Sequence, residues 1–106
     1  MIFRGAIHEI RAMPGVWGRE QQGPRPAVII QSDSFATSVV TVAITSASAA
    51  PAIYRPEIEI DGHRTRVLTD QIYSVSPDRF GKFKGALDPA EIMALDSALL
   101  LKLGLM

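Results

Sequence analysis

The chain contains no cysteine. This rules out a disulfide scaffold and any thiolate metal site, and it suits the reducing cytoplasm, where we expect the protein to act. No stretch approaches the ~18 consecutive apolar residues of a membrane helix, so no membrane association is expected. The opening Met1-Ile2-Phe3-Arg4-Gly5 lacks the basic stretch and long apolar run of a secretory leader. Neither sign of charge dominates: 11 basic and 11 acidic side chains give a formal net charge of zero. Nucleic-acid binding usually shows as a basic surplus, so RNA recognition would have to rest on locally placed arginines. The two histidines, His8 and His63, fall in an expected strand and after a tight turn, with no obvious serine partner. A histidine triad or a zinc site is therefore not expected. There is no glycine-rich phosphate loop, no HExxH and no GxSxG.

What is present is a chain of 106 residues, 47% of them hydrophobic. That is enough for a packed core and fits one domain, residues 1–106. Arg4 to Arg11 reads as a strand, with Ile7 on one face and Ala6 and Ile10 on the other. Ala12 to Pro24 holds two prolines, three glycines and the only tryptophan, and reads as a long loop. Loops of this length in a compact domain tend to be functional or mobile. Arg25 to Gln31 is a strand whose apolar run Ala27 to Ile30 suggests burial on both faces. Pro26, lacking an N–H, belongs at its beginning, which places Arg25 at the end of the loop, near the sheet's edge.

Val39 to Ile44 is almost wholly β-branched and is the strongest strand; it closes with Thr45-Ser46. Residues 47–54 form a small-residue loop. Glu57-Ile58-Glu59-Ile60 alternates, giving one wet and one dry face. Asp61-Gly62 is a tight-turn signal, His63 to Thr69 is the returning strand, and Asp70 to Val75 continues or turns a corner. Lys82 to Leu87 reads as a last short strand. A C-terminal helix follows, with Asp88 as N-cap, Pro89 at the first position and Glu91 completing a capping box. Ile92, Leu95, Leu99 and Leu103 share one face, Met93 and Leu100 widen it, Leu101 lies opposite, and Gly104 is a natural C-cap. Short strands followed by one helix imply a bent antiparallel sheet or barrel with the helix packed across it.

Residue by residue, each candidate has two readings. Arg25 either caps a strand or serves a site. Thr45 either ends a strand or offers a hydroxyl. Glu20 is a solvated loop charge or a base. Trp17 is a lid, a stacking platform or an interface anchor. Arg55, Arg64 and Arg66 around the hairpin form a phosphate-steering patch, unless Glu57, Glu59 and Asp61 neutralise them. Tyr54 and Phe35 are stacking candidates, with core or interface packing the preferred reading for Phe35.

The run Gly18-x-Glu20-Gln21-x-Gly23-x-Arg25-Pro26-Ala27-Val28 resembles the signature loop and second strand of MazF/PemK-type toxins. Three further segments follow in that family's order: Ile44-Thr45-Ser46, Asp70-Gln71-Ile72, and Gly85-Ala86-Leu87-Asp88-Pro89 with the helix ending Leu103-Gly104-Leu105. The first strand departs from the family's GDIWxVDL pattern, with His8 where the aromatic residue is expected.

The resemblance implies an SH3-like barrel, mainly β with a C-terminal helix, and a cytoplasmic homodimer. It also implies metal-independent, cofactor-free cleavage of single-stranded RNA (messenger, transfer or ribosomal), blocked by a cognate antitoxin with a disordered acidic tail. The family's arginine falls on Arg25, its threonine on Thr45 and its loop glutamate on Glu20. Substrate contacts are expected from Trp17, Gln21, Arg55, Arg64, Arg66, Asp70 and Gln71. The fitting chemistry is attack of the ribose 2′-OH on the adjacent phosphorus, leaving a 2′,3′-cyclic phosphate and a 5′-OH. Two readings from other classes remain beside it: a non-catalytic SH3-like binding protein, and a gyrase-binding toxin of the CcdB kind.

Overall fold

The computed structural model describes residues 2–11 and 24–106. Among them are six strands: β1 (Ala6–Ile10), β2 (Arg25–Ile29), β3 (Val40–Ser46), β4 (Glu57–Ile60), β5 (His63–Val75) and β6 (Phe80–Ala86). A single 3-10 turn, Pro77–Arg79, leads into β6, and one helix, α1 (Pro89–Lys102), follows it. The strands form one sheet in the order β4-β5-β3-β2-β1-β6, and every pairing is antiparallel. Strand β5 is 13 residues long and serves two neighbours. Its first half pairs with β4 from His63 to Arg66, and its pairing with β3 runs from Arg66 to Val75. A bulge in β3 between Ala43 and Thr45 breaks the ladder, and such irregularities bend strands.

The bending brings the sheet's two edges together. Asp61, in the turn after β4, meets Lys84 of the opposite edge strand β6 at 2.7 Å. The result is a nearly closed barrel. Asp61 and Gly62 both have positive φ, 51° and 78°. This is the geometry of a type I′ hairpin turn, which the Asp-Gly pair favours.

Both faces of the sheet are buried. Ala6, Ile10, Ala27, Ile29, Val42, Ile44, Leu68 and Val75 form one apolar layer. Ile7, Val28, Ala43, Ile58, Ile60 and Val67 form the other, beneath Leu95 of the helix. The alternation read in β1 thus separates Ile7 from Ala6 and Ile10 as expected. His8, 5% exposed, stacks on Phe80 and meets Phe83 edge-on, each with ring centroids 5.3 Å apart. The imidazole fills an aromatic position, which is how this chain accommodates its departure from the family pattern in β1.

Helix α1 begins with a complete capping box between Asp88 and Glu91. The other oxygen of Glu91 accepts from the backbone N–H of Glu59 at 3.0 Å, so one carboxylate both caps the helix and satisfies an edge strand. Gly104 has φ 70°, and the N–H groups of Gly104 and Leu105 donate to the carbonyls of Leu101 and Leu100, a Schellman ending. Gly5 sets how closely the helix lies on the sheet: its φ is +88°, and a Cβ there would stand 2.7 Å from Ile92 Cδ1.

Three expectations need correction. Strand β2 begins at Arg25 as read, but it lies inside the sheet, hydrogen-bonded to β1 on one side and β3 on the other. Of the two readings of Asp70 to Val75, the first holds: the segment continues in the sheet as the second half of β5. The helix face is narrower than its leucines suggest: Leu95 and Ala98 are buried, whereas Met93 is 70% and Leu103 53% exposed. Met93 is turned away from the sheet, and Leu103 lies past the helix's last turn. Phe35 does not pack in the core; it is 67% exposed.

Candidate active site

Strand β2 starts opposite the end of β1, with Arg25 paired to Ile10 and Pro26 to Glu9. Its neighbour β3 brings Thr45 alongside. Thr45 is 2% exposed, and its hydroxyl donates to the Pro26 carbonyl at 2.7 Å. That carbonyl belongs to the residue after Arg25, so the threonine ties down the strand mouth that carries the guanidinium. Arg25 Nε is buried and has no hydrogen-bond acceptor among the described residues. Buried polar groups are nearly always paired. A permanent cation with a donor left over suits a site whose acceptor arrives with a ligand.

Arg25 and Thr45 line a cavity of about 260 Å³ together with Asp61, His63, Arg64 and Lys84. The cavity lies along the seam where the two sheet edges meet. Its charges are unequal. The Lys84 ammonium, hydrogen-bonded to Asp61, holds that carboxyl below the usual carboxylate range, and the same contact pushes the Lys84 ammonium up. Asp61 is thereby committed to Lys84. Arg64 is 84% exposed and only 3.8 Å from Glu57, a loose and solvent-screened contact. The excess is positive, as a phosphate-binding cavity requires.

The remaining expected contacts lie elsewhere. Arg55 and Asp70 form a two-pronged pair, Nε to Oδ1 at 3.2 Å and Nη2 to Oδ2 at 2.8 Å. Arg55 also donates to the Ala50 carbonyl at 3.1 Å. The hydrogen bond to Arg55 holds the Asp70 carboxyl below its ordinary range and raises the guanidinium in turn. This pair fastens the loop before β4 to β5 and does not line the cavity. Arg66 reaches Glu57 at 2.9 Å and the Arg55 carbonyl at 3.3 Å; it lines a smaller neighbouring hollow that also includes Arg64. Gln71 is half-buried in β5. The Tyr54 ring is covered by Lys102 Nζ at 4.5 Å from its centroid. Glu20, Trp17 and Gln21 lie outside the described residues. Among the described residues no three His, Asp or Glu side chains gather as a metal site.

Sequence reasoning did not single out His63, Asp61 or Lys84 for the site. The Asp-Gly turn signal locates Asp61 and His63 together on one hairpin. Nothing local links them to Lys84 or Arg25, since only closure of the barrel does so.

A small antiparallel barrel with one C-terminal helix is also the fold of solved toxins. The fold matches a mycobacterial endoribonuclease solved with its cognate antitoxin, at a TM-score of 0.82 and 19% identity over 100% of this chain and 98% of that one. It also matches MazF from Deinococcus radiodurans, at a TM-score of 0.81 and 18% identity over 97% and 96% of the two chains. A family model for the PemK-like, MazF-like toxins of type II toxin–antitoxin systems matches residues 3–103. The chain belongs to that family. A toxin of Mycobacterium tuberculosis is 47% identical over 75 residues, 71% of each chain. The endoribonuclease MazF of Staphylococcus epidermidis is 31% identical over 99% of this chain and 93% of its own.

Proposed function

We propose that this protein is the ribonuclease toxin of a toxin–antitoxin pair, cleaving single-stranded RNA at preferred sequences by attack of the ribose 2′-OH. The observation that carries the reading is the Arg25 guanidinium, buried at Nε without an acceptor among the described residues, in a cavity it shares with Thr45. Charge builds on the non-bridging phosphate oxygens as the 2′ oxygen bonds to phosphorus. A planar, permanently charged fork suits those oxygens and needs no reorganisation when the charge appears. Thr45 acts through Pro26: its hydroxyl is already given to that carbonyl, so it positions Arg25. Glu20 is the candidate base for the 2′-OH, and Trp17 and Gln21 on the same loop are candidate substrate contacts. Arg64 draws the RNA backbone to the cavity mouth, and unpaired bases are splayed for reading as single strands allow.

The partner reading follows from the same charges. An acidic, disordered antitoxin tail is drawn to the cationic seam and covers it as it folds. The active form is a homodimer working in the cytoplasm, and no helix among the described residues is long and apolar enough to cross a membrane.

The test is a digest of a long mixed-sequence RNA in the presence of EDTA, with the ends of the products identified. Discrete cuts ending in 2′,3′-cyclic phosphate and 5′-OH are expected. Absence of cuts from folded protein overturns the reading, and tight gyrase binding in its place would favour a CcdB-like action.

A further inference from the structure

The cleavage reaction needs a proton at the departing 5′ oxygen, and the groups already assigned do not provide one well. Arg25 stabilises charge, but a guanidinium gives up its proton far above neutrality. The Thr45 hydroxyl is spent on the Pro26 carbonyl. Asp61 is committed to Lys84 at 2.7 Å. Arg64 and Lys84 are cations that hold their protons at pH 7. His63 is the one remaining cavity-lining side chain, among the described residues, of the type that exchanges a proton near neutrality.

Its placement is fixed from both sides. His63 is the first residue of β5 and pairs with Ile60 across the type I′ turn. That turn is itself clamped to β6 through Asp61 and Lys84. The ring is solvent-accessible and has no hydrogen-bond partner among the described residues. The other imidazole, His8, is buried, stacked on Phe80 and edge-on to Phe83, and does not line this cavity.

Resting on the ribonuclease reading above, we propose that His63 is the general acid of the cleavage. The 2′ oxygen bonds to phosphorus and gives its proton to the base, for which Glu20 is the candidate. The bond from phosphorus to the 5′ oxygen breaks, and its electron pair stays on that oxygen. The protonated imidazole of His63 supplies the proton that makes it a 5′-OH. The neutral ring is then recharged from solvent, where the proton taken by the base is also returned. The charged groups around the ring are Asp61 from the turn, Arg64 on its own strand, Lys82 and Lys84 from β6 and Arg25 from β2.

The experiment uses the full chain, His63→Gln, and an RNA whose cut site has been mapped with wild type. A second substrate carries sulfur in place of the 5′ bridging oxygen at that site, a leaving group that needs no proton. On ordinary RNA, His63→Gln should be slower by about a hundredfold or more, within the usual reach of a general acid. The pH–rate profiles of wild type and variant should differ on this substrate, the variant lacking one limb of the wild-type curve. On the sulfur substrate the two proteins should differ by less than about threefold. An unchanged rate and pH profile on ordinary RNA overturns the proposal. An equal loss on both substrates also overturns it, because a residue that merely positions the site would not distinguish the leaving groups. If wild type itself makes no cuts, the ribonuclease reading has failed and takes this inference with it. His63 is exposed at a hairpin turn, so the variant should match wild type in circular dichroism and melting temperature.

Discussion

Around Arg55, each guanidinium nitrogen faces an acceptor: Nε and Nη2 the two oxygens of Asp70, Nη1 the carbonyl of Ala50. Around Arg25, Nε is buried and faces none among the described residues. Both arginines precede or open a strand, and the residues alone left each with a structural alternative. The difference lies in what the fold brings beside them. Strand β5 delivers a carboxylate to Arg55, and the barrel seam delivers further cations to Arg25. A satisfied guanidinium stiffens the molecule, and an unsatisfied one in a cavity is poised for a ligand.

The comparison is broken most directly by removing the two arginine environments in turn. Arg25→Ala should reduce RNA cleavage by about a hundredfold to a thousandfold, the usual loss for a donor aimed at developing charge. Its thermal melt should stay close to wild type. Asp70→Asn should do the reverse. It leaves Arg55 without its counter-charge and should cost about 1–3 kcal/mol in a denaturant titration, while most of the cleavage rate survives. If Arg25→Ala unfolds the protein, or Asp70→Asn abolishes cleavage at full stability, the division of labour is wrong.

The pH dependence sharpens the same contrast. The folded-state value of Asp70 is depressed by its hydrogen bond to Arg55. Its contribution is therefore fully present above the ordinary carboxylate range, near pH 4, and is lost as pH falls through the depressed value. The wild type should lose stability over that acid window, and Asp70→Asn should lose less, as read by melts between about pH 2 and pH 5.

Thr45→Val keeps the β-branched shape that β3 needs but removes the bond to Pro26. We expect a cost of about 1 kcal/mol and slower cleavage, with Thr45→Ser restoring both; a fully active Thr45→Val would remove the positioning role. The smallest effect belongs to Arg64→Ala. Losing one loose phosphate contact should raise KM, leave kcat near wild type and lower the salt slope of RNA binding by about one.

Much of the fold was legible from local chemistry. The capping box at Asp88 and Glu91, the Asp61-Gly62 turn and the alternation in β4 depend on neighbours a few residues away. The structure has each where it was read. The helix face was overestimated, because periodicity reports which residues share a side and not how far the sheet extends beneath them. Arg25 and Thr45 were singled out by resemblance, since spacing alone left each with a structural alternative.

What the sequence determined by itself is the set of elements and the residue types that could do phosphate chemistry. Hydrogen-bonding periodicity, turn conformers and capping act over a few residues and leave their mark on the chain. What only the tertiary structure decided is which cation is left without an acceptor among the described residues. Asp70 lies 15 residues beyond Arg55 and reaches it because β5 runs on beyond its pairing with β4. Lys84 meets Asp61 only because the sheet curls until its edges touch. Those encounters depend on barrel closure, a property of all six strands together, and they place His63 in the same cavity as Arg25.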